Sequence, residues 1–132
     1  MLYPLAPDPV DALINFLKAD PDVSVISADR VSTTKIDTPQ PRIQVTMLPG
    51  DPTEPYEETT EFQLDCWGGT EREAKTLART VCAAIYSMRT PLTGGAVTLA
   101  YPTVKPFDLP DPDTGRPRSV CQVAVTISPT SP

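Results

Sequence analysis

The sequence predicts an α+β fold with two layers: a mostly antiparallel β-sheet, two helices packed on one of its faces, and a long proline-rich hairpin arm. Two segments repeat apolar residues at helical spacing, and several others alternate apolar and polar residues as half-buried strands do. Proline is unusually frequent in one segment near the C-terminus. A chain of 132 residues is the size of one domain, so residues 1–132 are expected to fold as a unit.

The first helix is predicted over residues 9–19. Asp8 and Pro9 form a helix-start signal, and apolar residues at i, i+3, i+4 and i+7 follow until Pro21 stops the pattern. The β-rich run over 23–26, extending as far as Val31, predicts the first strand.

Two segments in the middle of the chain alternate apolar and polar residues. Residues 42–48 predict the second strand and residues 57–67 the third, and we expect these two strands to pair. A capping box of Thr70 and Glu73 then opens a long helix predicted over residues 71–89.

The C-terminal third predicts two strands separated by an arm. Alternation from Val97 to Tyr101 predicts the fourth strand, and alternation over 120–127 predicts the last one. Between them, residues 102–118 are predicted to form an extended arm or long hairpin that cannot be a central strand, because proline lacks an N–H for the ladder. Residues 128–132 are expected to form a frayed tail.

Composition excludes several function classes. The chain has no histidine, which removes the commonest general base and the commonest metal ligand, so we expect no enzyme activity, no metal and no cofactor. The net charge of −6 argues against a protein that grips nucleic acid by its phosphates. No segment has the character of a secretory signal or a membrane span. Cys66, Cys82 and Cys121 lie far apart in apolar patterns and are predicted to be reduced core residues.

One motif resembles catalytic chemistry only superficially. Asp113, Thr114 and Gly115 match the triplet of aspartic proteases, but Pro112 precedes them and Arg116 follows, so the triplet does not lie between apolar strand residues. We therefore predict a hairpin turn in which glycine supplies the positive φ.

The excess negative charge lies in one segment. Between Arg42 and Arg72 there is no basic residue, whereas the acidic residues of this segment include Glu57, Glu61 and Asp65, which alternation places on the outer side of the third strand. A solvated strand face and a surface used in assembly both fit this pattern. On the long helix, a basic row lies away from the apolar stripe: Arg72, Lys75 and Arg79. We expect the basic row of one copy to meet the acidic face of the next, as in a ring.

In layout, the whole chain resembles the tail-terminator, or tail-completion, family of long-tailed phages, of the type found in phages of actinobacteria. The segments that carry the resemblance are the helix from Pro9 to Leu17, the run from Arg30 to Thr33, the strand end from Asp65 to Gly68, and the segment from Leu109 to Arg118.

The resemblance implies a non-enzymatic structural protein of the virion, assembled in the host cytoplasm. It implies a homohexameric ring that caps the head-proximal end of the tail tube, ends its polymerisation, and joins the major tail tube protein to the head–tail connector protein. DNA then passes through without specific binding, past acidic residues that face the channel or an adjacent subunit. The arm is the expected docking element, with contacts from Phe107, Asp113, Arg116 and Arg118.

The sequence leaves alternatives open. A head-to-tail connector or stopper, or a minor tail protein, fits the same features. A monomeric binding module unrelated to phages also fits, and an enzyme using carboxylates fits least well.

Overall fold

A computed structural model describes residues 6–35, 38–50 and 57–129. These residues form three helices: α1 Pro9–Ala19, α2 Pro21–Ser27 and α3 Glu71–Ile85. They also form six strands: β1 Val31–Ser32, β2 Arg42–Met47, β3 Glu58–Trp67, β4 Pro91–Leu92, β5 Gly95–Asp108 and β6 Arg118–Pro129. The predicted bounds of the first helix are confirmed, whereas the long helix ends four residues earlier than predicted.

The six strands make one curled sheet in the order β1-β2-β3-β6-β5-β4. The expected pairing of the second and third strands is confirmed as the antiparallel pair β2–β3, while β1 pairs with β2 in parallel. The predicted fold class is wrong. The described residues are mostly β and contain three helices, and their mixed sheet curls into half of a barrel, so a sheet with two helices on it is not what forms.

Local capping accounts for the helix that the sequence prediction missed. Residues 23–26 are rich in β-branched side chains, yet they lie in α2 because Asp20 caps that helix: its Oδ2 accepts hydrogen bonds from the N–H groups of Asp22 at 3.1 Å and Val23 at 3.0 Å. Pro21 stands in the first turn of α2, where its missing N–H costs nothing. The proline that stops α1 therefore also starts the next helix.

The second departure concerns the predicted arm. Residues 95–108 run as one strand, β5, which pairs with β6 through three register shifts, located between Val97 and Leu99, Pro102 and Val104, and Val104 and Phe107. These shifts let the strand pass its prolines without leaving the sheet. Only the turn, residues 109–117, connects β5 to β6 outside the ladder. β6 continues to Pro129, so residues 128 and 129, predicted to belong to a frayed tail, lie in a strand; the rest of the predicted tail, residues 130–132, lies outside the described ranges.

One apolar core joins all three helices to one face of the sheet. Leu13 and Leu17 of α1, Val23 of α2 and the apolar stripe of α3 pack with alternate residues of β2, β3 and β6. The opposite face, here called the outer face, carries the intervening residues of the strands. None of the helices in the described ranges has the length and apolar character needed to span a bilayer.

The three thiols lie in this core as free, buried cysteines, as the sequence predicted. Hydrogen bonding to Cys121, together with burial, raises the pKa of the Cys82 thiol well above its ordinary value. Hydrogen bonding to Cys66, together with burial, also raises the pKa of Cys121. Both thiols therefore stay protonated at neutral pH and serve as packing groups.

Candidate functional site

The turn between β5 and β6 is bound to the body of the protein. Its Asp111 side chain is 3% exposed, and Oδ2 lies 2.7 Å from Nζ of Lys35. Oδ1 of the same carboxylate accepts a hydrogen bond from the N–H of Asp113 at 2.9 Å. The hydrogen bond from Lys35, followed by that from Asp113, holds the pKa of Asp111 far below its ordinary value. Gly115 has φ +69°, which confirms the predicted glycine turn and assigns the Asp-Thr-Gly triplet to it.

Beneath the turn lies a cation cluster centred on the buried ring of Trp67. Arg42 lies 4.6 Å, Arg118 5.7 Å and Lys35 5.9 Å from the ring centroid. Such distances are typical of cation–π contacts, which gain strength when the charged group is desolvated. Arg42 is itself buried and donates to the carbonyl of Thr38.

The arginines predicted as docking contacts bind the chain's own backbone. Arg118 Nε donates to the carbonyl of Leu109 at 2.8 Å, and Arg116 Nη1 donates to the carbonyl of Thr38 at 3.1 Å. Of the four predicted docking residues, only Phe107 and Asp113 present an exposed side chain. The turn is therefore a fixed part of the surface, and the expectation of a projecting arm is corrected.

The three predicted acidic residues do not share one environment. Glu57 and Glu61 are exposed, whereas Asp65 is buried at 7% exposure. Asp65 lies on the outer face as predicted, but Gln63 Nε2 donates to its Oδ1 at 3.1 Å and Arg118 Nη1 lies 4.0 Å from its Oδ2. Asp65 is covered by its own chain, so the exposed acidic side chains in the described residues 57–67 are Glu57, Glu58 and Glu61, here called the acidic end of β3.

The predicted basic row is exposed along α3. Arg72, Lys75 and Arg79 all face away from the core. Lys75 makes its ion pair with Asp108 of β5 at 3.3 Å, and not with Glu71 one helical turn before it.

This side of α3 forms a groove against β5. The groove has a volume of about 450 Å³ and is lined by Lys75, Arg79, Lys105, Pro106, Phe107 and Asp108. Three of these residues are cationic and one is acidic, so we call it the cationic groove. Arg79 and Lys105 make no ion pair with any charged group in the described ranges.

The outer face also carries an apolar row that the sequence pattern did not show. Leu99, Tyr101, Val104 and Phe107 are 36–45% exposed. They stand opposite Thr126, Ala124, Gln122 and Val120 of β6, which all lie on the outer face. Their spacing of two, three and three residues would scatter them over both faces of a regular strand. The register shifts of β5 bring all four to one face.

The sequence itself identifies the family. A family model described as tail completion protein gp17 matches residues 11–128. The chain belongs to this family. Its fold is similar to that of a chain in the virion of the native gene transfer agent (GTA) particle, with a TM-score of 0.68 at 14% identity, over 91% of this chain and 94% of that chain. No curated protein sequence is significantly similar to it.

Family membership makes this tail completion protein a structural protein of the phage tail, located in the virion. The resemblance seen in the sequence is thereby confirmed. Within the described ranges, no group of three or more Cys, Asp or Glu side chains is arranged to hold a metal ion.

Sequence patterns identified the exposed charges of this tail completion protein but missed the residues that fix its turn. Lys35, Arg42, Trp67 and Asp111 come from four separate segments, and only the fold brings them together. One signal for these residues was available in the sequence. Trp67 is the only tryptophan of the chain and stands at the end of a predicted strand, where a large aromatic ring needs another segment to cover it.

Proposed function

We propose that this tail completion protein caps the head-proximal end of the tail tube, ends its polymerisation and joins it to the head connector. The match of the family model over residues 11–128 carries this proposal. The working form is a homohexameric ring through which DNA passes without specific binding. The protein acts by its shape and surface, with no catalytic step.

Two surface features support this function. The apolar row on the outer face is the kind of exposed patch that marks a protein interface, and we assign it to the tube subunit. The turn beside it is already bound to the body, so the tube subunit meets a preorganised surface and little conformational entropy is lost on docking.

The charge of the chain is consistent with DNA passage. The net charge of −6 repels the phosphate backbone of DNA. In the ring, the exposed residues Glu57 and Glu61 face the channel or the neighbouring subunit.

Electron microscopy of tubes assembled with and without the protein tests the function. We expect one end of each tube to carry a cap and elongation to stop when the protein is added to tube subunits. Leu99→Glu/Tyr101→Glu places two charges in the apolar row and is expected to abolish capping. Val25→Glu is the matched control, because Val25 is 85% exposed on α2, away from the outer face.

Tubes that keep growing in the presence of the wild-type protein would contradict capping. If the protein instead binds only the isolated connector, the connector or stopper function replaces the one proposed here.

A further inference from the structure

The cationic groove between α3 and β5 has more positive charge than its own chain compensates. Asp108 pairs with Lys75 at 3.3 Å, which leaves Arg79 and Lys105 without an ion pair in the described ranges. Pro106 and Phe107 of β5 complete the lining of the same groove. A groove lined by cations suits a carboxylate-bearing protein segment, because its carboxylates accept charge-assisted hydrogen bonds from the lysine and arginine side chains.

The same chain carries a surface of opposite charge. No basic residue occurs between Arg42 and Arg72, and the described part of this stretch exposes the acidic end of β3, formed by Glu57, Glu58 and Glu61. Neither Glu57 nor Glu61 makes an ion pair with a charged group in the described ranges.

These two surfaces cannot meet within one molecule. The acidic end of β3 lies beside the C-terminal end of β6, where Glu58 pairs with Ile127, whereas the groove lies beside the N-terminal end of β6, where Phe107 pairs with Val120. A contact between complementary patches at separate places on one chain is heterologous, so it repeats from copy to copy and closes when the rotation between copies permits.

We infer that the cationic groove of one copy binds the acidic end of β3 of the next copy. The inference rests on the ring in the proposed function and assigns the ring contact to named side chains. It also places Glu57 and Glu61 against a neighbouring subunit and not in the channel.

Duplex DNA is the competing occupant. The net charge of −6 and the carboxylate of Asp108 in the groove wall oppose a polyphosphate. Two carboxylates of a protein segment carry a far lower charge density than a duplex, so they fit beside Asp108 with less repulsion.

Charge reversal tests the contact on the full chain. Arg79→Glu/Lys105→Glu makes the groove acidic like its partner, and Glu57→Lys/Glu61→Lys makes the acidic end basic like the groove. The conditions are those in which the wild type assembles, either with tube subunit present or at high protein concentration. Under these conditions we expect each variant alone to sediment at the monomer mass of 14.3 kDa. An equimolar mixture of the two variants is expected to assemble again, because each then offers the other a surface of opposite charge.

Restoration by mixing separates a lost contact from a misfolded variant, and Lys18→Glu on the exposed side of α1 is the matched control for charge reversal. A zero-length carbodiimide cross-link between Lys105 and Glu57 or Glu61, found between copies of different isotope content, would support the contact directly.

The inference is overturned if the wild type stays at the monomer mass in all conditions, if neither variant alters assembly, or if the mixture fails to assemble. It is also overturned if Arg79→Glu/Lys105→Glu removes binding to a duplex DNA probe while the assembled mass is unchanged. Assembly that is restored by mixing but does not cap tubes would leave this contact standing and remove the proposed capping function.

Discussion

Lys35 Nζ lies 2.7 Å from Asp111 Oδ2, and this ion pair joins segments that are 76 residues apart in the sequence. It connects the loop before β2 to the turn of the β5–β6 hairpin. The exposed fractions of the two side chains are 42% and 3%, so the lysine reaches in from the surface to a buried carboxylate. A buried carboxylate needs such a partner, because removing it leaves an uncompensated polar group.

Asp111→Asn is expected to loosen the turn. The variant keeps an oxygen for the N–H of Asp113 but loses the charge that pairs with Lys35. We expect faster hydrogen exchange of the backbone amides in residues 109–117 and a lower Tm, with the exchange of α3 unchanged. Asp113→Asn is the control in the same turn, because the side chain of Asp113 is exposed. Equal exchange in both variants would contradict the role of the ion pair.

The stability of the protein is expected to fall in acid partly through Asp111. The pKa of Asp111 in the folded state lies below its ordinary value of 3.8. At pH values between the folded and the ordinary pKa, the unfolded chain therefore binds more protons than the folded one. The contribution is fully present above the unfolded pKa and is lost as the pH falls toward the folded pKa. Denaturant unfolding measures this effect. As the pH is lowered from about 5 to about 3, the free energy of unfolding should fall more steeply for the wild type than for Asp111→Asn. Parallel pH profiles would show that the carboxylate does not contribute.

The cation cluster predicts a difference between two replacements of Trp67. Phe and Leu have similar size, but only Phe presents a ring face to Arg42, Lys35 and Arg118. We expect Trp67→Leu to be less stable than Trp67→Phe by about 1 kcal/mol, the typical strength of a cation–π contact. Denaturant unfolding followed by circular dichroism measures the stability of both variants, because neither retains the tryptophan fluorescence that would otherwise report unfolding. Equal stabilities would assign the role of Trp67 to packing alone.

The connection from β3 to α3 predicts intolerance of a side chain at Gly68. A Cβ there would lie 2.6 Å from the backbone N of Ala74 and 2.7 Å from Cβ of Glu73. Gly68→Ala is expected to lower the free energy of unfolding by about 2 kcal/mol, as overpacking against backbone does. The control is Gly69→Ala, whose Cβ would meet only the flexible end of Glu73 at 3.3 Å. Similar stabilities of the two variants would contradict the close approach.

Elements with a local signal could be predicted from the sequence. Asp8 caps α1 and Thr70 caps α3, and both caps act within three residues of the cap, so the printed sequence contains the whole signal. Residues 21–27 show the limit of this reasoning. Their β-branched composition favours a strand, but the cap at Asp20 and the proline at Pro21 favour a helix, and in the structure a helix forms.

The features that build the candidate surfaces are nonlocal. No spacing rule relates Lys35 to Asp111, and the exposed row on β5 depends on register shifts that are fixed by pairing with β6. Simple alternation also cannot distinguish an exposed outer-face residue from one that is covered, which is why Asp65 and Glu61 were expected to behave alike.

The prolines of β5 remove hydrogen-bond donors from the strand near one edge of the sheet. In the described ranges, β4 covers only Gly95 and Ala96 of β5, so the rest of that strand has no further strand beside it. Because Pro102 and Pro106 lack an N–H, each is tolerated only where its nitrogen points away from β6. A foreign strand that approached this border would find two hydrogen-bond donors missing, and the sheet is thereby protected against edge-to-edge aggregation.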